Sequence, residues 1–403
     1  MRRDEGAATT SAELRAHNLA RLLRAVHDGG GQLTRAELTR QLSLARGTAT
    51  VLVRDLATRR LIEEVAGQAD PAAQRARGRP TGVPSAHAQG PVALAVDLRD
   101  DSFTVAVFEL TGRGTVLDRQ ERDASSGTGM LHEVAGQLKI HRNQFGDRVI
   151  GVGVAVPSPV RGTTMVQPTL TEWQGVDVTA ALGSAGPVLA GNDATLAGLA
   201  EARRGVLRGV PVALHLHVAT GIGGVLLSGG QPVSGAYGSA GEFGHMPLTG
   251  SDEPCRCGSV GCWELDAGAR GLLRAAGEPA HGDRMRRAEQ IIATAATDPA
   301  SRRALVPAAG ALGRGIGALV NAHDPAAVSL SGLAASLYLA DPAAVQAGYL
   351  STLMRFRRTD PPALLRSNLG DLGALTGASE LVFDAFLTPR GLATWPAAEA
   401  KTA

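Results

Sequence analysis

All three cysteines of this chain fall within eight residues, in Cys255-Arg-Cys257-Gly-Ser-Val-Gly-Cys262, and His245 stands ten residues before the first. Three thiolates and one imidazole at that spacing form the donor set of a closed tetrahedral zinc site of the structural kind. Gly258 and Gly261 lie between the sulfurs and let the backbone turn tightly enough for all three to converge on one ion. The competing reading is three buried free thiols in a reducing compartment. The clustering of every cysteine around two glycines, with a histidine in reach, favours the metal. An ion with a full shell does not activate water; it fixes the loop that holds it. That loop carries two carboxylates, Glu242 and Glu264. Carboxylates on a rigid loop suit bidentate hydrogen bonds to neighbouring hydroxyls, as on a sugar.

The longer string, Gly241-Glu-Phe-Gly-His245 followed by Cys255-x-Cys-Gly-x-x-Gly-Cys262-x-Glu264, resembles the ROK family, which comprises sugar kinases and sugar-responsive repressors. The resemblance implies that Glu242, His245 and Glu264 hold a sugar, with His245 giving one nitrogen to zinc and the other to the ligand. It extends to Val188-Leu-Ala-Gly-Asn192-Asp193-Ala-Thr-Leu-Ala-Gly, where a strand gives way to a helix. By itself the Asn-Asp pair reads as a helix N-cap. In the ROK family the matching pair binds the sugar, and in its kinases the Asp is the general base, so Asp193 would be catalytic if this chain were a kinase. The match of the flanking Gly and the Ala-rich helix favours site over cap.

These residues need a scaffold. Pro91 to Asp97 reads as a buried strand, with Phe103–Leu110 and Thr115–Arg119 as hairpin partners, a helix over 129–144 and a strand over 149–156. This order resembles a lobe of the actin/hexokinase-like fold of ROK proteins. A second lobe begins near Pro211, with strand Leu214–Val218 and the turn Thr220-Gly221-Ile-Gly223-Gly224. His215 and His217 share one face of that strand and read as ordinary strand residues. Gly310, Gly313 and Gly317 in an Ala-rich helix predict close helix packing.

ROK kinases carry Asp-x-Gly-x-Thr after the first strand, where the Gly lets the backbone approach ATP. Here the stretch is Asp97-Leu98-Arg99-Asp100-Asp101, with Arg99 for the Gly and Asp101 for the Thr. A carboxylate about 4 Å from a phosphate oxygen costs on the order of 4 kcal/mol at an effective dielectric near 20. The stretch therefore argues against ATP. The glycine turn at 221–224 is present but also serves an ordinary hairpin. Asn321–Gly332 resembles the adenosine segment, with Ser331 in place of a Gly. Ser158 stands where ROK proteins often place a Gly in the sugar loop.

Charge is unevenly spread. Residues 1–80 hold 14 Arg and 9 Asp/Glu, a net +5, while the remaining 26 Lys/Arg and 29 Asp/Glu give −3. A basic head on an acidic body points to a polyanion as the partner of the head. Within it a helical stripe over 14–28 ends at Gly29-Gly30-Gly31, and Thr34-Arg-Ala-Glu37 reads as a capping box opening a second helix. After a turn at Ser43-Leu44, a third helix runs from about Ala45 to Arg60. Ala45 stands where a Ser or Thr cap is usual. Leu61–Val65 looks like a first wing strand, with the second after Gly78-Arg79-Pro80. Three short helices with a tight turn make a helix-turn-helix, and the stretch resembles the winged form that opens ROK repressors. Arg46, Thr48, Thr50 and Arg54 lie on the exposed side of the third helix, suited to base edges and phosphates, and Arg77 and Arg79 sit in the wing.

The expected organisation is an α/β chain. A winged helix-turn-helix (12–68) leads through a wing end and linker (69–91) to ROK lobe 1 (92–210) and ROK lobe 2 with the zinc loop (211–390), then a disordered tail (391–403). Zn2+ is the expected structural cofactor. Operator DNA and a sugar or sugar-phosphate effector are the expected partners of a homodimer or homotetramer. No apolar run reaches membrane length and the start lacks a signal-peptide core, so a cytoplasmic protein is expected. Two rival readings are a sugar kinase with an appended DNA-binding domain and a regulator whose body docks a partner protein.

Overall fold

The computed structural model describes residues 10–66, 82–121, 127–166, 173–183, 186–248, 250, 252–279 and 284–396. Its head opens with α1 (Ser11–Asp28), which starts in a capping box: Glu13 N donates to Thr10 Oγ1 (3.2 Å) and Thr10 N to Glu13 Oε2 (2.7 Å). The expected box at Thr34 and Glu37 opens α2 (Arg35–Gln41) in the same way. Ser43, at a φ of 53°, makes the turn to α3 (Arg46–Thr58), and Ala45 gives that helix no side-chain cap, as its residue type requires. Leu22, Leu23, Leu38, Leu52 and Leu56 close the small core. The wing follows as β1 (Ile62–Ala66) paired antiparallel with β2 (Gly82–Ala86). Arg77 and Arg79 lie outside the described residues.

Next come β3 (Val92–Leu98), β4 (Ser102–Glu109), β5 (Gly114–Glu121), α4 (Gly127–Phe145) and β6 (Val149–Val156), the β-β-β-α-β order read from the sequence. The short β7 (Val160–Arg161) and β8 (Thr164–Met165) form a hairpin. They lead to α5 (Val178–Leu182), β9 (Val188–Asn192) and α6 (Asp193–Arg204). The first large sheet has the order β5-β4-β3-β6-β9. Beyond it lie β10 (Val212–Val218), β11 (Ile222–Ser228), β12 (Gln231–Pro232), α7 (Glu264–Ala267), α8 (Ala269–Ala275), α9 (Arg284–Thr294) and α10 (Pro299–His323). The chain ends through β13 (Ala327–Gly332), α11 (Leu333–Ala340), α12 (Pro342–Thr352), β14 (Ala363–Arg366), α13 (Gly373–Phe386) and α14 (Pro389–Ala393). The second sheet has the order β12-β11-β10-β13-β14, with β10, β13 and β14 parallel. Among the described residues α10 is the one helix long and apolar enough to span a membrane, and it is a core helix: Leu305, Leu312 and Ile316 are fully buried. The predicted close packing is seen where a Cβ on Gly313 would stand 2.0 Å from Val345 O of α12.

Two compact units result. The first holds the chain up to Val154, Asp177–Leu189 and Ala378 onward; the second holds Ala155–Val176 and Ala190–Gly377. Consecutive lobes divided near residue 210 were expected. Instead the chain changes unit four times, inside β6, between Val176 and Asp177 just before α5, inside β9 and inside α13. The end of the chain also differs from expectation. A disordered tail from 391 was expected, yet α14 runs to Ala393 and Trp395 is buried, its Nε1 donating to Arg59 O at 2.8 Å.

Candidate ligand and metal site

His245, Cys255, Cys257 and Cys262 come together as the spacing predicts, with their ligand atoms all within 4.8 Å of one another. Cys257 Sγ and Cys262 Sγ are 3.6 Å apart, and Cys255 Sγ is 3.6 Å from His245 Nδ1. Two sulfurs held at about 2.3 Å by one tetrahedral ion stand about 3.8 Å apart, and a sulfur and an imidazole nitrogen about 3.6 Å. The four residues therefore fit one such ion. Burial pushes the Cys262 thiol up to about 12 and raises Cys255 too, so without a cation both keep their protons; a cation that takes them as thiolates must displace those protons. Gly258 (φ 92°) and Gly261 (φ 65°) adopt the left-handed backbone that brings the sulfurs round. Trp263 anchors the loop: it is 1% exposed, donates Nε1 to Ala311 O at 2.9 Å, and packs against Gly315 of α10.

The carboxylates flank this cluster from both sides. Glu264 Oε1 accepts from Cys255 Sγ at 3.3 Å and lies 3.8 Å from His245 Nδ1. Glu242 Oε2 lies 3.8 Å from the other ring nitrogen, Nε2. One imidazole thus presents Nδ1 to the sulfurs and Nε2 toward the carboxylate side. Although 42% of the Glu242 side chain is accessible, burial around its carboxyl raises it above the usual carboxylate range. His245 pulls it back down, and the charges of Asp193 and Glu264 push it up again. Asp193, Glu242 and Glu264 are therefore close enough for their charges to act on one another, and such a trio is eased by hydroxyl donors.

At the start of α6, Asn192 is the cap: its Oδ1 accepts from Thr195 N at 3.0 Å, and its Nδ2 donates to Asp193 Oδ1 at 2.9 Å. Asp193 shares in this end of the helix, its Oδ1 also accepting from Ala194 N at 2.7 Å, so both residues of the pair have a capping role. Sequence reasoning missed why Gly221 is glycine. A Cβ there would stand 2.5 Å from Glu264 Oε2, so Gly221 makes room for the carboxylate. Likewise Gly223 faces Ala194 and Gly224 faces Phe243. Each glycine of the turn thus has a packing role of its own. His215 Nδ1 meets Ser329 Oγ and His217 Nδ1 meets Ser331 Oγ, each at 2.8 Å across the parallel β10–β13 pair. They are strand residues as expected.

In the first unit, Arg99 Nε donates to the buried Asp97 Oδ2 at 3.0 Å, and Arg99 N to Ser102 O at 2.9 Å. The β3–β4 turn is closed by its own side chains. Ser158, in the second unit, is buried and donates its hydroxyl to Pro159 O. On α3, Arg46, Thr48, Thr50 and Arg54 are all exposed. Thr50 Oγ1 donates to Arg46 O at 2.9 Å, which leaves it as an acceptor. Val51, 53% exposed on the same face, was not singled out from the sequence, although its position one turn before Arg54 is the available signal.

The ROK family profile matches residues 93–385. The chain belongs to the ROK family. Among curated ROK relatives, a putative xylose repressor of Caldicellulosiruptor sp. is 37% identical over 31% of this chain and 32% of its own length. A kanosamine kinase of Amycolatopsis mediterranei is 35% identical over 36% of this chain and 49% of its own. The chain thus matches about a third to a half of the length of these two relatives. A xylose repressor of Bacillus subtilis aligns over 88% of this chain and 92% of its own at 24% identity. Among solved structures, a ROK family transcriptional regulator described as a homologue of the E. coli MLC protein covers 94% of this chain and 98% of its own, with a TM-score of 0.71 and 21% identity. A ROK glucokinase from Streptomyces griseus, in complex with glucose and AMPPNP, covers 72% of this chain with a TM-score of 0.64.

Proposed function

We propose that this ROK protein is a sugar-responsive transcriptional regulator, a repressor of the xylose-repressor kind, that binds operator DNA through α3 and its wing and senses a sugar or sugar phosphate at Asn192, Asp193, Glu242, His245 and Glu264. One observation carries this reading. The chain has a three-helix head, with α1 and α2 capped and Arg46, Thr48, Thr50 and Arg54 exposed on α3, joined to a ROK body in which Asp193 and Glu264 lie near Glu242 while Arg99 of the β3–β4 turn is bound to Asp97. Zinc, held by His245, Cys255, Cys257 and Cys262, would fix the loop and supply no catalytic chemistry. Arg77 and Arg79 would add phosphate or groove contacts. The protein would act in the cytoplasm as a homodimer or homotetramer, because two heads about 34–36 Å apart read an inverted repeat.

The kinase reading is favoured by the kinase relatives and by the survival of Asp193. Sugar-dependent ADP production that Asp193→Asn abolishes would establish it in place of the regulator. The test of the regulator is a gel-shift titration on a duplex selected from a random pool, with and without D-xylose or D-glucose. Arg46→Ala should relax sequence preference by about 1–3 kcal/mol at one base pair. Glu264→Ala should keep sugar-free DNA binding and lose the sugar effect. Unchanged specificity in the first variant defeats the helix assignment, and a retained sugar effect in the second defeats the pocket. A sugar-induced thermal shift separates both from a body that docks only a protein.

A further inference from the structure

α13 is a single helix whose two halves do different things. It begins in the second unit and ends in the first. Its beginning lies backbone to backbone on α6: a Cβ on Gly377 would stand 1.9 Å from Leu196 O, and one on Gly373 would meet Ala197. α6 is the helix that opens at Asp193, with Asn192 as its cap. The end of α13 grips the DNA-binding head. Glu380 Oε2 is 3.0 Å from His27 Nε2, the Phe383 and His27 rings lie 4.8 Å apart, and Asp384 pairs with Arg24. His27 and Glu380 are both fully buried.

His27 is held at both nitrogens. Nδ1 faces Leu110 O at 2.5 Å, and a carbonyl can only accept, so Nδ1 carries a hydrogen. Nε2 faces Glu380 Oε2 at 3.0 Å. Such a fully buried polar pair has one good geometry, and breaking it leaves buried groups unsatisfied. α14 adds a second hold directly after α13. Arg59, at the end of α3, donates to Leu392 O and accepts from Trp395 Nε1. The last turns of α1 and α3 are thus both fixed by the segment that starts on α6.

We propose that α13 is the mechanical link from the sugar site to the head, and that His27 and Glu380 are the positioning residues at its delivering end. The proposal rests on the regulator reading above. A helix hydrogen-bonded along its length moves as a rod, so a shift of α6 on sugar binding would reach α1 without passing through the linker before β3. Neither residue touches DNA or sugar on this account; they act through α1.

The test uses the full chain and three readings: the melting shift given by D-xylose or D-glucose, DNA affinity without sugar, and the ratio of DNA affinities with and without it. Allosteric coupling typically changes affinity by about 5–150-fold. Glu380→Gln and His27→Gln should keep the first two readings and bring the ratio close to one. General destabilisation would lower the melting temperature and DNA affinity together, so it cannot mimic that pattern. Asp384→Ala, which removes a half-exposed ion pair, provides a variant that folds if the buried ones do not, and it should weaken the ratio partly. A wild type that responds to sugar alongside folded variants that respond equally would overturn the link. A wild type that binds DNA without any sugar response, or binds none, would overturn the regulator reading and this inference with it.

Discussion

The cysteine loop and the β3–β4 turn are both places where a ROK chain does its work, and here they have gone opposite ways. In the loop every functional position is filled by the residue the chemistry needs. Gly258 and Gly261 turn the backbone, four donors converge, and Gly221 yields space to Glu264. In the turn, Arg99 and Asp101 stand where a phosphate would require a Gly and a Thr, and Arg99 is bound to Asp97. On the regulator reading proposed above, the first region would serve a sugar's hydroxyls and the second would disfavour a nucleotide.

The largest effect should come from the loop. Structural zinc contributes about 10–16 kcal/mol in small folding peptides, so Cys257→Ser should abolish stoichiometric zinc and the sugar response together. Metal analysis of purified protein checks this, and wild type without zinc would remove the loop from the comparison. The turn should answer next. Arg99→Gly with Asp101→Thr should raise AMPPNP affinity by up to the order of 4 kcal/mol, nearly a thousandfold, if the loss of phosphate geometry lies there. Calorimetry reads the gain, and no change would mean that the obstruction is elsewhere.

A smaller effect tests whether α10 truly braces the loop. A Cβ on Gly315 would stand 2.0 Å from the Trp263 ring, so Gly315→Ala should destabilise by about 1–3 kcal/mol and quench the sugar shift. Gly136→Ala in α4, where a Cβ meets nothing within 4 Å, should instead stabilise by about 0.5–1 kcal/mol. Thermal melts of both separate crowding from helix propensity.

Acid should act on the sheet of the second unit through His215. Burial lowers His215 from 6.5 to about 3. Its folded value is depressed, so its contribution is complete above 6.5 and is lost as pH falls toward 3, where the unfolded chain binds the extra proton. The slope in that window is at most about 1.4 kcal/mol per pH unit. Urea titrations from pH 6.5 to 4 should show a shallower fall for His215→Gln.

Features set by a few neighbouring residues were legible in the sequence. The Thr34–Glu37 box, the uncapped Ala45, the wing strands and the metal donors all follow from residues close in the chain. Relations set by distant packing were not. His27 and Glu380 are 353 positions apart, and nothing local to either says that they meet. In the 221–224 turn, spacing alone does not distinguish room for a ligand from the room that Gly221 leaves for Glu264. The change of unit inside β6, β9 and α13 escaped notice because strands and helices that cross a boundary have the same periodicity as those that do not. The box at Thr10 and Glu13 stands directly before the stripe that opens at Leu14, so its signal was as legible as that at Thr34.

Trp395 has a use beyond anchoring. It caps the contact between α14 and Arg59 and stands edge-on to Phe386, with ring centroids 6.0 Å apart. The other two tryptophans, Trp173 and Trp263, belong to the second unit. Replacing both with phenylalanine would leave one native fluorophore at the root of the DNA-binding head. Its emission should move to longer wavelength when the head comes away from α14, so the chain can serve as its own optical gauge of head release, in real time and without an attached dye.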